Sequence, residues 1–306
     1  MVSTFEESES PSHNVDPTQA LVSMLSLEPE QPLRTTEDIF VGHTIAPESD
    51  RIFGGQVFGQ AVMAASRTVD PDRPVHSMHG YFLRPGDVSI PVTFGVERMR
   101  DGRSFSARRV HAYQNGQVIL SAIASFQEPA PGLEHQEPMP SGIPDPESLK
   151  SSEQLWGDID HPFARWVVRA RPFEIRHVTD PIYVTPPGRH EPVNTVWFRT
   201  HGRLPDDPRI HQAAIAYASD YTPMDPILRR HGFMWAHPGL SLASLDHAIW
   251  WHRPARADEW LLYTQTSPNA SSARGLACGR IFTREGELVA TTTQEALVRV
   301  PDEDLG

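Results

Sequence analysis

The chain has 306 residues, 39% of them hydrophobic and 22% charged, enough to build two cores of domain size. Lys and Arg number 27 against 39 Asp and Glu, a net charge of −12; nucleic acid is therefore not an expected partner, because neutralising phosphates needs a concentrated excess of cations. No apolar run approaches the length of a membrane span, so integral membrane contact is not expected, and the lone Cys278 points to a reducing, cytoplasmic compartment.

The opening MVSTFEESESPSHNVD is acidic and Ser-rich and predicts a mobile tail. A short helix is expected over Thr18 to Leu27, with Asp16 as its N-cap and Pro17 at the first helical position. A strand-like IFVGHT follows, then Phe53-Gly54-Gly55 and a segment from Gln56 to Thr68 with so little polar surface that it must be buried nearly all round. Four strand-like runs come next, HSMHGYFL, VTFGVERMR, SFSARRVHAYQ and QVILSAIASFQ, with Asp101-Gly102 and Asn115-Gly116 expected to supply the positive φ of tight hairpins. One apolar helix followed by an antiparallel meander predicts a sheet wrapped around that helix.

Six prolines between Glu128 and Pro146 exclude helix interior and central strand and predict an extended linker. Beyond it the order repeats. PFEIRHV and NTVWFRT read as strands, Ile210 to Asp220 as an Ala-rich helix, and LASLDHAIWWHRP, EWLLYTQTS, ARGLACGRIFT and ELVATTTQEALVRV as strands. Glu285-Gly286 answers Asn115-Gly116 at an offset of 170 residues, and Arg253-Pro254 answers Arg84-Pro85 at 169, which predicts a duplication. The expected division is a tail and short helix over 1–32, a first unit over 33–127, a Pro-rich linker over 128–152 and a second unit over 153–306.

Three polar residues stand out. Asp220 ends AAIAYASD, a segment whose side chains predict burial; a carboxylate there faces the unfavourable end of its own helix dipole, and desolvation favours its neutral form. Gln294 sits in the small and β-branched strand ATTTQEA, where a buried amide needs partners on both ends. Ser244 lies at a strand start with no G-x-S-x-G elbow anywhere in the chain, so nothing marks it as a nucleophile. The histidine pairs His76/His79 and His247/His252 lack a Cys cluster or HExxH, and no metal is expected. Asp246-His247 looks like an acid–base pair, but neighbours on a strand point to opposite faces.

The blocks LASLDHAIWWHRPARADEWLLYTQTSPNASSARG and GRIFTREGELVATTTQEALV, with RIFGGQVFGQAVMAA and VHSMHGYFLRPGD earlier, resemble the type II acyl-CoA thioesterases over roughly Leu33 to Val300. The resemblance implies an α+β double hot-dog, two antiparallel sheets each wrapped around a helix and joined into one. It implies hydrolysis of fatty acyl-CoA to fatty acid and CoA without a cofactor, on a water activated by Asp220, Ser244 and Gln294. Direct attack by Asp220 through an anhydride is the competing route. The family often has Thr where this chain has Ser244, which keeps the hydroxyl and loses a methyl. Gly54 and Gly55 are candidate substrate contacts, Arg84 and Arg274 candidates for the CoA phosphates, and self-association to a dimer or tetramer is expected. A hot-dog enoyl-CoA hydratase is the nearest alternative enzyme, with an Asp followed five residues later by His, but Asp225 occupies that place. A non-catalytic acyl-CoA-binding protein would need the polar trio disrupted.

Overall fold

The computed structural model describes residues 16–29, 36–44, 51–158, 168 and 171–304. The expected tail before Asp16, and Leu33, lie outside the described residues. Helix α1 (Pro17–Leu25) starts where its capping signals put it, with the Asp16 carboxylate accepting from the amides of Thr18 and Gln19. After β1 (Glu28–Pro29) and β2 (Asp38–Gly42), helix α2 (Gly54–Ser66) buries every residue from Gly55 onward. Enclosing Val57, Phe58 and Val62 stabilises the fold by about 1.5–3 kcal/mol each. Strands β3 (Val75–Phe82), β4 (Val92–Asp101), β5 (Phe105–Gln114) and β6 (Gln117–Gln127) form the sheet around it.

The second half holds α3 (Ser152–Trp156), β7 (Phe173–His177), β8 (Val193–Thr200), α4 (Pro208–Ala218), α5 (Asp225–His231), β9 (Ser241–Ser244), β10 (Asp246–Trp251), β11 (Leu261–Ser271), β12 (Arg274–Thr283) and β13 (Leu288–Arg299). All the strands among the described residues join one antiparallel sheet in the order β1-β2-β4-β5-β6-β3-β10-β13-β12-β11-β8-β7, with β9 beside β13. The seam is β3 against β10, with Ser77 opposite Trp250 and Tyr81 opposite Asp246. Each half is a hot-dog, and pairing edge to edge removes two exposed strand edges.

Duplication is visible in hydrogen bonds as well as in order. The Leu83 amide donates to Ile119 O and the His252 amide to Val289 O. Likewise the Arg84 guanidinium donates to Val118 O at 2.8 Å and that of Arg253 to Leu288 O at 3.0 Å. The matched hairpins turn at Asn115-Gly116 (φ 48° and 71°) and at Gly286 (φ 94°). Gly102, by contrast, does not take positive φ: the β4–β5 connection is wider, closed by the Gly102 amide on Phe105 O at 2.9 Å.

The Pro-rich stretch runs extended over the outer face of the second half. There Pro144 O accepts from Trp197 Nε1, Gln136 donates to Gly286 O, and Asp145 pairs with Arg284. No helix among the described residues is long and apolar enough to cross a membrane.

Candidate active site

Helices α2 and α4 pack antiparallel in the centre of the molecule, and glycine sets how closely. A Cβ on Gly55 would lie 2.4 Å from Tyr217 O, and one on Gly59 3.0 Å from Ala213 O. The C-terminal end of α4 is thereby held against the N-terminal end of α2. Asp220, one residue past the Ser219 C-cap of α4, receives a hydrogen bond from the Gly55 amide. Gly54 has no side chain to interfere; a Cβ there would lie 2.8 Å from Asp220 Oδ2.

The two helix starts differ. Asp207 caps α4, accepting from the Arg209 amide at 3.0 Å, whereas Phe53 gives α2 no side-chain cap. The positive end of α2 is left open to a negative group. Looking along the sequence, Asp220 faced only the unfavourable end of its own helix; packing adds the favourable end of another.

The three polar residues singled out in the sequence meet here. Gln294 Nε2 donates to Ser244 Oγ at 2.8 Å, and Ser244 Oγ donates to Asp220 Oδ1 at a long 3.5 Å. Strand alternation on β13 turns Thr292, Gln294 and Ala296 inward, and Ser244 arrives on β9 opposite Ala296. Asp220 is 7% exposed. Desolvation pushes its carboxyl up to about 7, against the hydrogen bonds from Gln294, the Gly55 amide and Ser244, which favour the charged form.

A buried imidazole extends the chain. His247 Nδ1 lies 2.5 Å from Gln294 Oε1, and its Nε2 lies 2.8 Å from Ser219 Oγ. Asp246 and His247 do point to opposite faces: His247 is buried, while Asp246 Oδ1 accepts from the Glu295 amide at 2.6 Å. Burial lowers His247 to about 4, so it is neutral at physiological pH.

The remaining candidates have other partners. Arg84 is exposed and bonded to Val118 O, as its counterpart Arg253 is to Leu288 O. Arg274 is exposed and paired with Glu295 at 3.0 Å. Asp225, five residues after Asp220, is buried and pushed up to about 7 by desolvation, but it accepts from Trp235 Nε1 at 2.8 Å rather than joining the trio. A cavity of about 640 Å³ lies at the opposite, Asp207 end of α4, and none of the trio lines it.

This arrangement, a carboxylate ionising near neutrality beside a hydroxyl and an oriented amide, suits activation of a water more than metal binding or redox chemistry. Residues 170–297 match the family described as acyl-CoA thioesterase, and residues 45–127 match its N-terminal domain. Human acyl-coenzyme A thioesterase 8 is 39% identical over 295 residues, covering 92% of this chain and 89% of that protein. The crystal structure of acyl-CoA thioesterase II TesB2 from Mycobacterium marinum is 42% identical with a TM-score of 0.73, covering 93% of this chain and all of that one. A hot-dog protein of unknown function from Alicyclobacillus acidocaldarius, 18% identical with a TM-score of 0.72 over 92% of this chain and 98% of its own, shares the fold. Two-domain matches and high identity over nearly the whole length place the chain in the acyl-CoA thioesterase family, as a thioester hydrolase.

Proposed function

We propose that this enzyme hydrolyses fatty acyl-CoA to free fatty acid and CoA through a water held by Ser244 and Gln294 and deprotonated by Asp220. The observation that carries it is the buried Asp220 carboxylate beside the Ser244 hydroxyl, which itself accepts from Gln294 Nε2 at 2.8 Å; burial pushes that carboxyl up to about 7. A base of that pKa is half ionised at neutral pH yet still holds a proton well enough to take one from water. The leaving thiol, of pKa near ~8.5, needs little acid assistance, so no strong acid is required in the site.

The open start of α2 suits the developing oxyanion, with the Gly54 amide as its proposed donor and Gly55 holding Asp220 in place. Gly at both positions lets a thioester carbonyl come close to the backbone. Arg84 and Arg274, both at the surface, are proposed to meet the CoA phosphates, Arg274 by exchanging Glu295 for phosphate. The same reading carries a cytoplasmic, self-associating enzyme, supported by a single cysteine and by an outer face on which Tyr81 and Ile123 stand exposed.

Thiol release from a panel of acyl-CoAs of increasing chain length tests the assignment; no release from any of them would sink it. In the same assay Ser244→Ala and Gln294→Ala are each expected to lose on the order of tenfold to a hundredfold in kcat, the scale of lost orientation rather than lost chemistry. The double variant should lose less than the product of the two, because both groups grip one water.

A further inference from the structure

We propose that His247 is a positioning residue: its Nδ1–H, donated to Gln294 Oε1, fixes which end of the Gln294 amide faces Ser244 and so sets the direction of every proton in the trio. The proposal rests on the trio reading above and extends it to a residue outside the trio.

The geometry allows two polarities for the chain Ser219–His247–Gln294–Ser244–Asp220. In the first, Nδ1 carries the ring proton and donates to Gln294 Oε1 at 2.5 Å; Gln294 Nε2 donates to Ser244 Oγ at 2.8 Å; the Ser244 proton is left for Asp220 or a water. In the second, Nε2 carries the proton, Nδ1 accepts from a turned amide, and Ser244 must spend its proton on Gln294 Oε1. Ser244 would then present only lone pairs to the Asp220 carboxylate, which repels them. An ionised Asp220 favours the first polarity.

In the first polarity Nε2 accepts from Ser219 Oγ at 2.8 Å, and the Ser219 hydroxyl, which otherwise donates to Ala216 O at 2.9 Å, turns its single proton to the ring. Phe58 packs edge-on at 4.9 Å between ring centroids, and the imidazole is 1% exposed. Burial also holds it neutral, at about 4, so it does not take part as an acid or base near neutrality. Its task is orientation, as an outer partner orients a metal-bound or catalytic histidine in other enzymes.

Asparagine can place its amide nitrogen where Nδ1 stands; leucine cannot donate there, and glutamine reaches the Nε2 position instead. In purified enzyme, His247→Leu is expected to lower kcat on the order of tenfold to a hundredfold with KM little changed. His247→Asn should recover most of that loss. The acid limb of kcat/KM should move to higher pH in the leucine variant, because the amide donation that favours the Asp220 anion is lost; a role in packing alone would not move it. Should His247→Leu fail to fold by circular dichroism, His247→Gln carries the same test. Histidine ¹⁵N spectra of the wild type should show the Nδ1-protonated tautomer. An Nε2-protonated ring, unchanged kcat and pH limb in a folded leucine or glutamine variant, or asparagine no better than leucine would each overturn the proposal. If Asp220→Asn is fully active the trio reading itself fails; if Asp220→Asn is inactive and a folded His247→Leu keeps the wild-type kcat and pH limb, only the positioning role fails.

Discussion

Asp220→Asn is expected to lower kcat by about 10²–10⁴, the usual scale for removing a general base, with circular dichroism unchanged. Asparagine keeps the shape and can still accept from the Gly55 amide, and its neutral side chain is cheaper to bury than the carboxylate it replaces. What it cannot do is take a proton. The loss should exceed that of Ser244→Ala or Gln294→Ala, since in the proposed mechanism those side chains orient the water and Asp220 takes its proton. Wild-type turnover in a folded Asp220→Asn would remove the central claim. The same loss would follow if Asp220 attacked the thioester directly, so a second measurement separates the two routes. With enzyme in excess, a single turnover in ¹⁸O-labelled water should leave the Asp220 peptide unlabelled if water attacks the thioester; an anhydride opened by water at its enzyme-side carbonyl would mark the Asp220 carboxylate in the mass spectrum, and finding that label would overturn the held-water route.

Much of this was legible in the chain because the informative residues are polar interruptions of apolar runs. Gln294 breaks a strand of small and β-branched residues, Asp220 ends an Ala-rich helix, and both are buried. The Asn115-Gly116 hairpin read correctly, since positive φ at both positions favours that residue pair. Where non-glycine residues accept the same backbone, the signal fails: the β11–β12 turn puts Ser272 and Ala273 at φ 51° and 57°. The run LASLDHAIWW read as one strand but divides at Leu245, whose amide goes to Glu295 O while its own carbonyl accepts from Phe82. That break lets one segment serve β13 and then bridge to the first half. Helix α5 was missed although Pro226 at its start and Gly232 (φ 79°) at its end mark it.

The non-local contacts were the hardest to read. That Gly55 meets Asp220 depends on α2 lying antiparallel to α4, and that His247 meets Gln294 depends on the β10–β13 register, in which Ala248 faces Thr293. Alternation correctly separated Asp246 from His247. It could not say what stood across from either.

The second large effect is in pH. With the Asp220 carboxyl at about 7, kcat/KM should fall roughly tenfold per pH unit below that value, a loss of roughly fiftyfold between pH 7 and pH 5. His247 stays neutral across this range, being held at about 4. Asp225 also ionises at about 7 but is bound to Trp235 away from the trio, so Asp225→Asn should leave the limb in place. Stability runs the other way. A carboxyl raised from 3.8 to about 7 by burial stabilises the fold while protonated; that contribution is complete below 3.8 and is lost as pH rises through about 7. Charging it in place costs on the order of 4 kcal/mol at full effect. Asp220→Asn should therefore melt higher than the wild type at pH 8 and level with it near pH 3.5, while being the slower enzyme wherever the wild type is active. An acid limb below pH 5, or an asparagine variant that melts lower at pH 8, would mean that Asp220 is ionised without strain and holds no reserve of basicity to spend on water.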